Sequence, residues 1–270
     1  MKARLTILGS GSSPGVPYLG CTCGVCTSDD PRDNRTRQSA LIEINETRIL
    51  IDTSPDLRAQ CLRQNLTRLD AVLFTHTHAD HLYGLDDLRA FKFLGNPPIQ
   101  CFAPPKVLAY IKNAYPYLFD NGPQYGGGKP LLAFHEITGA FSFRGIDIEP
   151  FEVPHAPEVP STAYVINGTI LYAPDCSALP DELIDHVKNI PLMVLDMVQM
   201  HPGHETHLTW DTARNYAKRV NAKLTMYSHC GHDISYARES RRLGDTEVLA
   251  YDGIIAEVSS TNTPFVRMEE

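Results

Sequence analysis

The chain has 270 residues, 43% of them hydrophobic, with a formal net charge of −8 and seven cysteines. That length can bury a substantial core, and the acidic balance excludes the broad basic surface with which general nucleic-acid binders neutralise phosphates. No run is long and apolar enough for a membrane-spanning helix, and the opening Met1-Lys2-Ala3-Arg4-Leu5-Thr6-Ile7-Leu8-Gly9 is short and strand-like, unlike a signal peptide. A cytoplasmic protein with reduced thiols is the expectation.

Arg4 to Leu8 predicts a strand running into Gly9-Ser10-Gly11-Ser12-Ser13-Pro14-Gly15, a loop with several positions free to take positive φ. Its glycines lack the third-glycine spacing and the following helix of a dinucleotide fingerprint. Next, Cys21-Thr22-Cys23-Gly24-Val25-Cys26 places three thiols within six residues. Such a run can wrap one zinc in a tight knuckle if a fourth ligand comes from elsewhere, and without metal its exposed thiols would be prone to oxidation. Ser39 to Ile44 and Arg48 to Ile51 read as two strands about the turn Asn45-Glu46-Thr47. Asp52 either orients a metal ligand or caps the helix expected over Pro55 to Asn65.

Leu69 to Phe74 predicts a buried strand that delivers Thr75-His76-Thr77-His78-Ala79-Asp80-His81, four potential ligands within six residues. In extended backbone, residues two apart face the same way, so His76 and His78 can share one cation. Asp80 and His81 fall where the chain turns, and fit a second cation. Helical spacing follows over Gly84 to Phe91, then a strand over Ile99 to Ala103 and a helix over Pro105 to Tyr115. The aromatic, then glycine-rich excursion 115–130 reads as a lid, a subunit contact or a plain surface loop.

Leu132 to Val153 predicts short strands. Thr162 to Asn167 and Thr169 to Ala173 form a hairpin about Gly168. Asp181 to Lys188 predicts a helix, Leu192 to Asp196 a strand, and Met197 to His207 a histidine-rich loop. Thr209 to Val220 is an amphipathic helix with Thr209 or Asp211 as its cap, and Lys223 to Tyr227 reads as a final core strand. Strand ends in this half supply three more candidate ligands, His155, Asp175 and His229. Strands mixed with helices throughout, without a Pro/Gly/Ser linker, predict one α/β domain over residues 1–270.

The run from His76 to His81, followed in order by His155, Asp175 and His229, resembles the H-x-H-x-D-H signature of the metallo-β-lactamase superfamily. That resemblance implies a four-layer αββα sandwich of two mixed sheets flanked by helices, with a dinuclear site along one edge. By the same likeness His76, His78 and His155 hold one metal, Asp80, His81 and His229 hold the other, and Asp175 bridges. The opening Gly9-Ser10-Gly11, Gly15-Val16-Pro17 and the 21–26 knuckle are similar to PhnP-type cyclic phosphodiesterases. There the fourth ligand of a structural zinc is a histidine three residues past the last active-site histidine. Here that residue is His232, with Cys230 nearer in sequence as a competitor. The resemblance also places a catalytic general acid at His207, with His201 and His204 as local competitors, and counts Asp80 among the catalytic residues. Histidine suits the role because its pKa lies near working pH.

The implied cofactors are two divalent ions, Mn2+ or Zn2+, in the active site and one structural Zn2+ in the knuckle. The implied reaction is hydrolysis of a small cyclic phosphodiester, either 5-phosphoribosyl 1,2-cyclic phosphate or a 2′,3′-cyclic nucleotide, by a metal-activated bridging water. Expected partners are that small substrate and a second copy of the chain in a homodimer, with no membrane and no larger nucleic acid. Rival readings are a tRNA 3′-processing ribonuclease, a PqqB-like cofactor-biosynthesis protein, and a metal-stabilised sensor without turnover.

Overall fold

The computed structural model describes residues 2–120, 122, 128–259 and 264–267. In chain order the strands are β1 (Lys2–Gly9), β2 (Ser39–Ile44), β3 (Thr47–Ile51), β4 (Ala71–Leu73), β5 (Ile99–Ala103), β6 (Leu132–Glu136), β7 (Phe141–Phe143) and β8 (Ile146–Ala156). They continue with β9 (Val159–Ile166), β10 (Ile170–Ala173), β11 (Leu192–Asp196), β12 (Leu224–Ser228), β13 (Glu247–Leu249), β14 (Ile255–Ser259) and β15 (Phe265–Arg267). The helices are α1 (Leu57–Arg63), α2 (Ala79–Leu82), α3 (Arg89–Phe93), α4 (Pro105–Ala114), α5 (Asp181–His186), α6 (Trp210–Val220) and α7 (Tyr236–Glu239).

Two mixed sheets result. One has the order β15-β14-β1-β2-β3-β4-β5-β6, the other β13-β12-β11-β10-β9-β8-β7. The period-2 alternation of each strand divides the apolar residues among three interlayer spaces. Ile49 and Ile51 of β3 and Ile170 and Tyr172 of β10 face the space between the sheets. Their neighbours turn outward: Leu50 packs under α1 to α4 with Leu57 and Ile111, and Leu171 packs under α5 and α6 with Leu183 and Trp210. Three cores between four layers make the expected αββα sandwich. Truncating a core leucine such as Leu50 to alanine costs about 2–5 kcal/mol.

Most elements fall where patterning places them, and three expectations change. Lys223 to Tyr227 does not end the sheets. β13 pairs in parallel with β12, and β14 pairs antiparallel with β1, Leu5 opposite Ala256. Buried Glu257 lies on the face of β14 opposite Ala256 and Val258, which enter the core between the sheets, and is matched by Lys2 at 2.7 Å. In place of short strands up to Val153, β8 runs for 11 residues. Its prolines, 150 and 154, lie past the three residues paired with β7, where the strand has a partner on one side only. The single helical segment expected over Gly84 to Phe91 divides into a 3-10 turn, Leu85–Leu88, and the short α3. Of the 115–130 excursion, residues 121 and 123–127 lie outside the described residues, and with them the lid or subunit-contact reading. Among the described residues no helix is long and apolar enough to cross a membrane.

Candidate active site

β3, β4 and β5 run parallel and end along one edge, so the chain leaves β4 there with its histidines. Asp52, just past β3, adopts φ 62°. Its carboxylate accepts the Thr75 backbone N–H at 2.8 Å, the Thr75 hydroxyl at 2.7 Å and Nδ1 of His81 at 2.7 Å. Of its two readings, the orienting one holds: Asp52 fixes the tautomer of His81 and aims Nε2 into the site. Thr75 does the same for His76, its hydroxyl oxygen lying 2.9 Å from Nδ1. The carbonyl of Thr206 holds Nδ1 of His155 at 2.8 Å.

The free ring nitrogens converge on Asp175, delivered by the end of β10. Nε2 of His81 lies 3.2 Å from its Oδ1, and Nε2 of His229 lies 3.4 Å from its Oδ2. Nε2 of His76 and Nε2 of His155 each stand 3.8 Å from Oδ2. Nδ1 of His78 is 3.0 Å from Nε2 of His155. Asp80 Oδ2 lies 3.3 Å from Nε2 of His81 and 3.5 Å from Nε2 of His229, and it accepts the Ser13 hydroxyl at 2.8 Å. The seven side chains form two sets of four, His76-His78-His155-Asp175 and Asp80-His81-Asp175-His229, whose ligand atoms lie within 4.8 Å of one another. Asp175 belongs to both.

This donor set fits divalent cations. Nε2 of His76, Nε2 of His81 and Oδ1 of Asp175 are buried without a hydrogen-bond partner, a costly state for polar atoms that a bound cation would relieve. Burial opposes charge on Asp175, yet the surrounding His229, His81 and His76 hold its carboxyl well below the ordinary carboxylate range. His229 is carried in a left-handed conformation, φ 59°. Its backbone N–H donates to Gln38 Oε1 at 3.2 Å, and the Ser228 hydroxyl donates to the same oxygen at 2.7 Å. A strained backbone held by a buried glutamine marks a position over-determined by its surroundings.

His207 stands over both sets, its ring centroid 4.7 Å from that of His155 and 4.8 Å from that of His229. Its Nδ1 donates to Asp196 Oδ2 at 2.8 Å, which leaves Nε2 as its second nitrogen. Burial works against a proton on this ring, but the Asp196 carboxylate raises its pKa to about 9. His204 is exposed and meets His207 with ring centroids 5.0 Å apart; His201 is exposed and lines a cavity with Cys23 and His232.

The thiol run forms a separate, third donor set. Nδ1 of His232 lies 3.3 Å from Sγ of Cys21 and 3.7 Å from Sγ of both Cys23 and Cys26. Backbone N–H groups of Tyr18 and Cys26 donate to Sγ of Cys26 and Cys23, and the Tyr18 ring stacks on His232 at 4.0 Å. The fourth position is therefore occupied by His232, and buried Cys230 is turned toward the Tyr227 carbonyl. Buried Arg35 fixes this turn, donating to the carbonyls of Gly231 and Ile234 and pairing with Asp33 at 2.9 Å.

Sequence reasoning named the seven clustered side chains, His207, the thiol set and, as one of two readings, the orienting Asp52, but missed most of the other residues that aim them. Asp196, Gln38, Ser13 and Arg35 sit in ordinary strand and loop sequence. A single acidic residue at the end of β11, opposite the end of β10 that carries Asp175, was the one available signal.

Fold and donor sets together are those of the αββα metallo-hydrolase class. The profile for the beta-lactamase superfamily domain matches residues 47–230. A solved diphosphatase of the PhnP family superposes with a TM-score of 0.87 at 34% sequence identity, covering 96% of this chain and 98% of that one. The chain belongs to the β-lactamase superfamily, among the PhnP-type hydrolases. An octanoyltransferase of Porphyromonas gingivalis is 34% identical over 257 residues, 94% of this chain and 51% of the relative, so the chain spans about half that protein's length. Coenzyme PQQ synthesis protein B of Methylorubrum populi is 32% identical over 224 residues, 72% of each chain.

Proposed function

We propose that this chain is a dinuclear-metal phosphodiesterase acting on small substrates, with cyclic phosphodiesters of a sugar or nucleotide as the preferred class. The observation that carries the reading is the sharing of Asp175 by two four-residue donor sets, with His207 standing over both. In this reading His76, His78 and His155 hold one cation, Asp80, His81 and His229 the other, and Asp175 serves both; Cys21, Cys23, Cys26 and His232 hold a structural zinc. Two such cations would supply an acidified water and offset phosphoryl charge. The chain supplies the rest. As the bond from phosphorus to the departing oxygen breaks, His207 gives its Nε2 proton to that oxygen, and Asp196 keeps the ring oriented and favours its protonated form. Asp52, Thr75 and the Thr206 carbonyl hold His81, His76 and His155 in the tautomers the ligand roles need.

A second reading, cleavage of a diphosphate linkage, is supported by the diphosphatase at 34% identity. Its demands on the site are the same apart from the leaving group. The net charge of −8 weighs against tRNA as substrate. The deciding experiment is a panel of 2′,3′-cyclic nucleotides, 5-phosphoribosyl 1,2-cyclic phosphate, a dinucleoside diphosphate, linear dinucleotides and precursor tRNA, each with manganese and with zinc. Preference for the cyclic esters supports the proposal, preference for the diphosphate supports the second reading, and metal binding without turnover on any of them removes both.

A further inference from the structure

Three of the four histidines that aim Nε2 at Asp175 have a partner behind the ring. Nδ1 of His76 meets the Thr75 hydroxyl oxygen, Nδ1 of His81 meets Asp52 and Nδ1 of His155 meets the Thr206 carbonyl. The fourth, His229, has none: its Nδ1 is buried without a hydrogen bond. The group it faces is Oδ1 of Asp196, buried and equally unpartnered, 3.9 Å away. Two orphaned polar atoms about 1 Å beyond hydrogen-bond distance are an unfavourable pair that one contact would relieve at both ends.

The rings of His207 and His229 stack with centroids 4.8 Å apart at 16°, and each turns Nδ1 to a different oxygen of the same carboxylate. Oδ2 is taken by Nδ1–H of His207 and by the backbone N–H groups of Cys176 and Leu208. Oδ1 is left, and only a donor can satisfy it. We infer that Asp196 is a positioning residue for His229 as well as for His207: its Oδ1 accepts Nδ1–H of His229 and holds the tautomer that leaves Nε2 free for a cation. One carboxylate then orients a metal ligand and the proton donor together. The inference deepens the dinuclear reading and rests on it for the role of His229.

Asparagine at position 196 discriminates. The three donors at Oδ2 require its amide oxygen, which turns the NH2 group toward His229. A donor there moves the His229 proton to Nε2, and a protonated nitrogen binds no cation. Calorimetric titration of the full chain with zinc should show one active-site ion bound about 10- to 100-fold more weakly in Asp196→Asn, the other within about threefold, and both unchanged in His207→Ala. NMR of zinc-loaded protein carrying 15N-histidine reads the contact itself. The Nδ1–H signal of His229 should be present in wild type and in His207→Ala and missing in Asp196→Asn. The corresponding signal of His81, bonded to Asp52, reports that the variant is folded. Absence of the His229 signal from wild type, its persistence in Asp196→Asn or equal zinc affinity in those two proteins would overturn the inference, and the first of these needs no variant. So would a further ion that His207→Ala removes, because it would place a cation among Asp196, His207 and His229. A single active-site ion in wild type would remove the dinuclear reading and leave the His229 signal to decide this one. Two bound ions with no turnover on any diester would remove the phosphodiesterase reading alone.

Discussion

Asp196 accepts Nδ1–H of His207 at 2.8 Å through the same oxygen that takes the backbone N–H groups of Cys176 at 3.1 Å and Leu208 at 3.2 Å. The carboxylate is fully buried, and its other oxygen lies 3.9 Å from Nδ1 of His229. Three donors on one oxygen leave the group little freedom. The orientation of His207 is thereby fixed from the end of β11, not from the loop that carries it.

His207→Ala should keep its metal while kcat falls about 10²- to 10⁴-fold, the usual worth of a general acid. Asp196→Asn should lose about 10- to 100-fold, as outer partners of such sites do. Metal content by mass spectrometry alongside steady-state kinetics checks both. Loss of metal from His207→Ala would make it a ligand instead of a proton donor.

Asp175→Ala withdraws the carboxylate that faces His76, His81, His155 and His229. Bound metal should drop below two per active site and turnover should fall to near background, measured on dialysed protein. Undiminished activity would contradict its shared role.

Cys23→Ser should lower zinc content by one equivalent and reduce the melting temperature, while the active-site ions remain. The backbone N–H of Cys26, chiefly, brings the Cys23 thiol down to about 6. Unchanged zinc in the variant would mean that the thiols hold no ion.

Glu247 takes two hydrogen bonds from Arg214, each 3.0 Å, and one from Tyr227 at 2.6 Å. Burial works against its charge, but Arg214 and Tyr227 lower its pKa from 4.5 to about 2. A depressed carboxylate stabilises the fold fully above its unfolded pKa and ceases to do so as pH falls through the folded one. Glu247→Gln should therefore be less stable than wild type at pH 7, with the gap closing between about pH 4.5 and 2. Urea midpoints of the two proteins at matched pH read the gap. A gap that stays constant across that window would show that the carboxylate's charge contributes nothing.

The clustered ligands were legible because chemistry crowded them: His76 to His81 stand in one heptad, and His155, Asp175 and His229 each end a strand. Alternating strands and helices made one α/β domain legible, while the αββα layering came only with the resemblance carried by His76 to His81; the period-2 alternation that sends Ile49 and Leu50 to opposite cores agrees with it. What stayed hidden acts at long range in sequence. Gln38 steadies His229 from 191 residues away, and Arg35 braces the turn of His232 from a loop that reads as merely polar. Asp52 kept two readings until the fold placed it against His81. β13 and β14 were missed because they are short, three and five residues, and give little pattern to read.

Asp175 belongs to two donor sets with one carboxylate, so in the proposed dinuclear state the sets would not fill independently. The first cation would fix the carboxylate, which would lower the ordering cost for the second and also repel it. By linkage the net coupling would be the same whichever side filled first. The chain would then sample its surroundings through one joint binding isotherm, and the supply of divalent ions, ahead of the supply of substrate, would decide when it is switched on.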